Sequence, residues 1–190
     1  MRIISGKRRG AHLNTPDGGA VRPTADRVRQ GLFNVLAAGA YGDVLKNTVI
    51  ADVFAGVGSL GLECWSRGAD RIVFIENNPA ALKALHHNID KLGCGDAATV
   101  ISRDATTKLI WPVEPAGLVF LDPPWIHHDD DADLALLALD NLITHGAMAQ
   151  DAIISIEHDH RRPAAVPAAI DILDVRKWGK TAITLGRYRG

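Results

Sequence analysis

Val49-Ile50-Ala51-Asp52-Val53-Phe54-Ala55-Gly56-Val57-Gly58-Ser59-Leu60-Gly61 is the stretch that decides the fold. An apolar run carries one acid and ends in three glycines spaced G-x-G-x-x-G. A short, nearly continuous apolar run before a glycine turn reads as a strand buried on both faces of a parallel sheet. The glycines let the backbone turn sharply, let a ligand come close, and let the next helix pack tightly on the strand. Leu60, Leu62 and Trp65 then open a helix whose N-terminus faces that ligand.

Outward from this stretch the pattern alternates between strand and helix. Strands are expected at 48–53, 71–76, 97–101, 117–121, 152–157, 170–177 and 181–186, and helices at about 58–68, 78–92 and 132–143. Gly68 and Gly93 serve as helix stops. Trp178-Gly179-Lys180 makes the last two strands an antiparallel hairpin. The fold class is therefore α/β, with a mostly parallel seven-stranded sheet ending in an antiparallel hairpin. Ahead of it, residues 2–5 and 10–13 flank Gly6-Lys7-Arg8-Arg9-Gly10 and read as a small basic hairpin. Asn14 to Pro23 reads as a loop, and Thr24 as the N-cap of a helix over about 25–39. Two units are expected, an N-terminal extension at 1–40 and a main domain at 41–190.

Composition narrows the class. Of the 190 residues, 47% are apolar and 23% charged, the balance of a globular domain. No apolar run reaches the roughly 18 residues of a membrane span, and Met1 to Lys7 lacks the apolar core of a secretory signal. Cys64 and Cys94 are far apart in the sequence and are expected to be reduced, packed thiols of a cytoplasmic protein. The net charge of −1 hides an asymmetry. Residues 1–29 hold seven basic side chains (Arg2, Lys7, Arg8, Arg9, Arg22, Arg27, Arg29) against two Asp, a net of +5, so the remaining 161 residues carry −6. A basic arm on an acidic body suits a polyanion; a solvated basic segment is the plainer alternative.

Ligands of parallel sheets bind at the carboxyl ends of the strands, so the residues there carry the chemistry. Glu76 stands 20 positions after Gly56 and can accept from both hydroxyls of a ribose. Asp52 can face a cationic group or make a structural hydrogen bond. Asp104 can accept from an adenine amine or cap a helix. Asp122-Pro123-Pro124-Trp125 is the sharpest feature. Two prolines fix the chain and remove two N–H donors, leaving carbonyl and carboxylate acceptors beside an aromatic ring. That set suits a planar base with an exocyclic amine, whose delocalised lone pair must be freed and whose proton must be accepted. His127 to Asp131 lacks the spacing of a zinc or calcium site, and no metal is expected. Lys177 to Lys180 either touches phosphate or caps a turn.

Asp52 to Gly58, Glu76, Asp104 and Asp122-Pro123-Pro124-Trp125, in that order, resemble a class I S-adenosylmethionine (SAM)-dependent N-methyltransferase with a Rossmann-like fold. Met1-Arg2-Ile3-Ile4-Ser5-Gly6, Arg22-Pro23-Thr24-Ala25-Asp26-Arg27-Val28-Arg29 and Lys177-Trp178-Gly179-Lys180-Thr181 narrow the resemblance to the RsmD family, along the whole chain. It implies methylation of guanine N2 in 16S ribosomal RNA, within the 30S subunit or an assembly intermediate, by a cytoplasmic monomer. It places Asp52, Phe54, Gly56 and Gly58 around the methionine moiety of SAM, Glu76 with Asn77 on the ribose, Asp104 with Ala105 at the adenine, and Asp122 to Trp125 on the guanine. Lys7, Arg8, Arg9, Arg22, Arg27 and Arg29 become the RNA contacts. The family usually has Tyr or Phe where this chain has Trp125, a larger ring that still stacks. The implied reaction is a direct in-line methyl transfer leaving S-adenosylhomocysteine, on a guanine flipped out or already unpaired.

Three other readings compete. An adenine-N6 methyltransferase shares the acceptor motif, but a DNA enzyme would often carry a separate target-recognition region for which 190 residues leave little room. A NAD-dependent oxidoreductase satisfies Gly56, Gly58, Gly61 and Glu76 but leaves Asp122 to Trp125 without a role. A non-catalytic RNA-binding module would not need an intact acceptor motif.

Overall fold

A computed structural model describes residues 1–16, 23–125 and 132–190, with the backbone alone for 23–25. The elements follow in chain order: α1 (Pro23–Ala37), β1 (Val49–Val53), α2 (Ser59–Ser66), β2 (Arg71–Glu76), α3 (Pro79–Leu92), a 3-10 turn (Gly95–Ala97), β3 (Ala98–Ser102), β4 (Ala116–Leu121), α4 (Leu134–Thr144), β5 (Met148–Asp159), β6 (Ile170–Trp178) and β7 (Thr181–Tyr188). The seven strands form one sheet in the order β3-β2-β1-β4-β5-β7-β6. The first five are parallel, and β7 is antiparallel to both β5 and β6.

Strand alternation sorts the core into two layers. Ile50, Ile72, Phe74, Leu118 and Phe120 face α1, α2 and α3. Val49, Ala51, Val53, Val73, Ile75, Val119 and Leu121 face α4 and the segment before β4. That segment, 103–115, crosses from β3 to β4 without a helix and seals its layer by burying Leu109. Helix ends follow local chemistry. The Asn78 side chain caps α3 by accepting from Ala80 and Ala81, and Gly93, at φ 71°, ends it.

Register places the functional edge. Val53 pairs with Ile75 and Leu121, and Leu121 pairs with Ile156. The residues just beyond these pairs (Phe54, Glu76, Asp122 and Glu157) therefore emerge along one rim. The rim includes the β1/β4 crevice, where the strand order reverses.

Some expectations differ in detail. Helix α1 begins at Pro23, so Thr24 lies inside its first turn rather than at the cap. A proline at the first helical position already has the required φ and lacks only a donor that would be unpaired there. Strand β5 starts at Met148, four residues before the expected Ala152, because a bulge with Asp151 at φ 62° interrupts the β4 pairing. The N-terminal hairpin is a single Arg2–His12 bridge with flanking hydrogen bonds, not a pair of regular strands.

Buried Glu63 on α2 anchors that hairpin. It accepts from the backbone N–H groups of Ile4 (2.7 Å) and Ser5 (3.0 Å) and from Arg67 Nε (2.7 Å). Ser66 adds a bond to the Ser5 carbonyl and receives one from the Arg8 N–H.

The close approach of α2 to the sheet has a single-residue test. A Cβ on Gly61 would fall against the Phe74 ring and 2.7 Å from Ile72 Cγ2, inside van der Waals contact with side chains that have nowhere to retreat. Gly61→Ala is expected to lower stability by about 1–3 kcal/mol, as overpacking does, read as a shift in the urea unfolding midpoint.

Candidate active site

The turn after β1 departs from extended backbone at once. Phe54 sits at φ 61°, Gly56 at 56° and Gly58 at 84°. Such a conformation is uncommon for a bulky residue and marks local strain. The three glycines of the stretch divide their labour. A Cβ on Gly56 would meet nothing within 4 Å, so this glycine opens onto free space. A Cβ on Gly58 would meet the Leu85 side chain at 2.5 Å, and one on Gly61 would meet the sheet. Gly56 thus lies open, while the missing Cβ atoms of Gly58 and Gly61 make room for packing.

Two carboxylates hold this turn. Asp52, 1% exposed, accepts from the Gly61 N–H at 2.8 Å, in the first turn of α2. The structural hydrogen bond foreseen as an alternative for Asp52 is thus present. Glu76 accepts from the Gly56 N–H at 2.6 Å, and from the Asn77 and Asn78 N–H groups at 2.9 and 2.8 Å. Each carboxylate oxygen has two lone pairs, so a partly exposed Glu76 can hold the turn and still receive hydroxyl hydrogens.

Asp104 caps no helix. Its Oδ1 accepts from the Thr106 N–H (2.8 Å) and hydroxyl (2.7 Å), closing a side-chain turn. Ala105 is buried there. Asn141 on α4 ties the same loop down by donating to the carbonyls of Ala105 and Thr107. Buried Asn88 on α3 acts similarly on the other side. Its amide donates to the Val57 carbonyl at 3.0 Å and the Asn14 carbonyl at 3.1 Å, and its oxygen accepts from the Asn14 N–H at 2.7 Å. Neither Asn carries a sequence signal, since a lone Asn in a helix reads as surface.

On the far side of β1, the Asp122 N–H reaches the Val53 carbonyl at 3.4 Å. Pro123, Pro124 and Trp125 then line a pocket completed by the start of α4 and the end of β5. Asp122 is exposed, and partial desolvation of its carboxyl by nearby protein pushes its pKa up to about 6. Glu157, on the pocket wall, is pushed up to about 8 by burial and then by the negative charge of Asp122. Sequence reasoning missed Glu157, because an acid near a strand end has no local mark of its neighbours. His127 to Asp131 lie outside the described residues.

The basic residues separate. Arg29 is 5% exposed and donates to the Arg2 carbonyl (2.6 Å) and to Asp26 (2.8 Å), so it locks α1 to the hairpin rather than facing a partner. Lys7 stacks on the Trp65 ring at 3.8 Å. Arg8 is exposed. Arg9 and Arg27 line one groove with Arg2, a member of the basic arm that was not among the RNA contacts implied by the resemblance. Arg22 lies outside the described residues. The hairpin tip touches the C-terminal end of α2 (Lys7 N–H to Ser66 O, 2.7 Å), one eight-residue helix away from the glycine turn. Trp178 packs against α1, where a Cβ on Gly31 would meet its indole at 2.6 Å.

Over residues 1–187 the chain matches the protein family described as Conserved hypothetical protein 95. It is 38% identical over 159 residues to Ribosomal RNA small subunit methyltransferase D of Escherichia coli K12, covering 84% of this chain and 75% of that protein. With the protein of the same name from Haemophilus influenzae it is 31% identical over 182 residues, covering 94% and 89%. Among solved structures, yhhF from Escherichia coli superposes with a TM-score of 0.80 at 33% identity, covering 100% of this chain and 98% of that one.

The crowded acids make stability depend on pH. Burial pushes Asp52 up to about 8 from an ordinary 3.8, opposed by the Gly61 N–H and reinforced by Asp122 and Glu76. The folded state therefore holds a proton that the unfolded chain releases between these values. Its stabilising contribution is complete below about pH 4 and is lost as pH rises toward 8, a swing on the order of 5 kcal/mol. Asp122 and Glu157 act in the same direction. Urea midpoints are expected to fall from pH 5 to pH 8, and Asp52→Asn, which keeps an acceptor for Gly61 but has no charge to bury, is expected to flatten that slope.

Proposed function

Since the chain belongs to the Conserved hypothetical protein 95 family, the RsmD family that its motifs resemble, we propose that it transfers a methyl group from SAM to the exocyclic N2 of a guanine in small-subunit ribosomal RNA. The observation that carries this reading is the single rim on which Gly56, Glu76 and Asp104 lie to one side of β1 and Asp122 to Trp125 to the other.

The residues present fit SAM. The open backbone at Gly56 admits a ligand, Glu76 offers carboxylate lone pairs to ribose hydroxyls, and the turn at Asp104 and Ala105 forms a wall for adenine. Asp52, behind the glycine turn, places an acid below the methionine moiety, where a nearby cation would favour its charged form. When bound, SAM supplies an electrophilic methyl on its sulfonium and leaves as S-adenosylhomocysteine.

The chain's own residues then handle the amine. Asp122 and the carbonyl of Pro123 accept its two hydrogens and turn the N2 lone pair toward the methyl. As the new N–C bond forms, N2 becomes cationic. Asp122, with a pKa of about 6, takes the surplus proton and releases it to solvent. Trp125 supplies a face on which the base stacks. Arg2, Arg9 and Arg27 hold the RNA backbone; Arg29 is left to structure. Residues 1–40 are the RNA-binding extension and 41–190 the catalytic domain. Action on the 30S subunit or an assembly intermediate, as a monomer in the cytoplasm, completes the proposal.

Two measurements test it. Asp122→Ala is expected to cut tritium transfer from labelled SAM to under-modified small subunits by at least about 100-fold, with calorimetric SAM affinity little changed. Loss of SAM binding, or a wild-type product other than N2-methylguanosine, contradicts the assignment. Arg27→Ala is expected to weaken RNA binding and to reduce the slope of log affinity against log salt by about 0.7–0.9 for each lost phosphate contact.

A further inference from the structure

Asp122 has a second acid for a neighbour that the methyl transfer leaves without a task. Glu157 follows Ile156 on β5 as Asp122 follows Leu121 on β4, and Leu121 and Ile156 are paired. Glu157 lines the same pocket as Pro123, Pro124 and Trp125. Its carboxyl forms no ion pair among the described residues, while every other acid nearby on this wall is accounted for. Asp133 caps α4 by accepting from the Leu136 N–H at 3.0 Å. Asp159 is held by Arg161 at 2.6 Å. His158 bonds Thr184 at 2.9 Å and the Asp159 carbonyl.

We infer that Glu157 reads the ring edge of the target guanine beside the amine that Asp122 holds. The inference rests on the guanine-N2 reading above. With N2 at Asp122, the adjoining edge of guanine presents N1–H and O6, a donor next to an acceptor. A neutral carboxyl matches it in one plane: its carbonyl oxygen accepts from N1–H and its hydroxyl donates to O6. Adenine held by its N6 amine presents N1 without a hydrogen and no O6, so at most one of the two bonds forms. A pair of matched hydrogen bonds of this kind discriminates bases by about 1–3 kcal/mol, or roughly 5- to 150-fold.

The electrostatics agree with the geometry. Two acids side by side do not both ionise readily. Glu157 is pushed up to about 8 and Asp122 to about 6, so between these values Glu157 keeps the proton while Asp122 is the carboxylate. Each acid is then in the form its task requires: Asp122 accepts the amine proton, and Glu157 both donates and accepts. His158, Asp159 and Asp133 on the same wall, with Arg162, are the other ionisable groups facing the pocket. The β7 residues paired to this end of β5, Ala182 and Ile183, carry no charge.

The test uses the full chain and an RNA substrate in which the methylated guanine, once mapped, is replaced by 2-aminopurine. That base keeps the N2 amine but lacks N1–H and O6. For the wild type, kcat/KM on guanine RNA is expected to exceed that on 2-aminopurine RNA by about 100-fold. In Glu157→Ala the guanine rate falls and the ratio shrinks at least about tenfold. Glu157→Gln, which copies the neutral acid's donor and acceptor, keeps most of the guanine preference. SAM affinity is unchanged in both variants. An unaltered ratio in Glu157→Ala overturns the inference and leaves the guanine-N2 reading standing, as does loss of SAM binding in both variants. Absence of N2-methylguanosine from the wild-type reaction overturns that reading and the inference with it.

Discussion

The Glu76 carboxylate bridging to the Gly56 N–H is the constraint on which the site depends. It joins the turn after β1 to the turn after β2, and Asp52 locks the other end of the glycine turn to α2. Without these acceptors, the N–H groups of a loop with Phe54, Gly56 and Gly58 all at positive φ would face solvent or each other. With them, a strained turn is held in one shape before any ligand arrives. Preorganised acceptors of this kind need little rearrangement during the reaction.

The same arrangement concentrates negative charge. Asp52, Asp122 and Glu157 all have raised proton affinities, each chiefly because nearby protein displaces part of the water around its carboxyl, and Asp52 and Glu157 also because other acids are close. Such a cluster works against the free protein at alkaline pH and in favour of a cationic ligand. The cost to stability and the capacity to accept an amine proton thus have one physical origin, a set of carboxyls brought to one rim by strand register.

The basic arm follows a separate logic. Glu63 and Ser66 on α2 hold the hairpin backbone, and Arg29 holds α1 against it. The arm is therefore part of the packed body. Its tip meets the far end of α2, about 12 Å along this eight-residue helix from the glycine turn. That separation suits a polymeric partner that spans both places better than a small one. Asn88 connects the two regions through Asn14 and Val57.

Alternating apolar strands and helices, the G-x-G-x-x-G turn, Glu76 at its 20-residue spacing and Asp122 to Trp125 were all legible in the sequence. They are local patterns, and each strand carries its functional residue at its own carboxyl end. The hairpin over residues 170–188 was legible for the same reason. Tertiary structure alone decided the partners. Arg29, read as an RNA contact, is turned inward, where Asp26 and the Arg2 carbonyl meet it. The side chains that Gly58 and Gly61 make room for, Leu85 on α3 and Phe74 and Ile72 on β2, were set by packing between distant elements. Glu157 became neighbour to Asp122 because β4 and β5 pair in a register that no local pattern encodes. Residue type and spacing are set along the chain, whereas proximity, burial and shared protons arise only when strands distant in sequence are laid side by side.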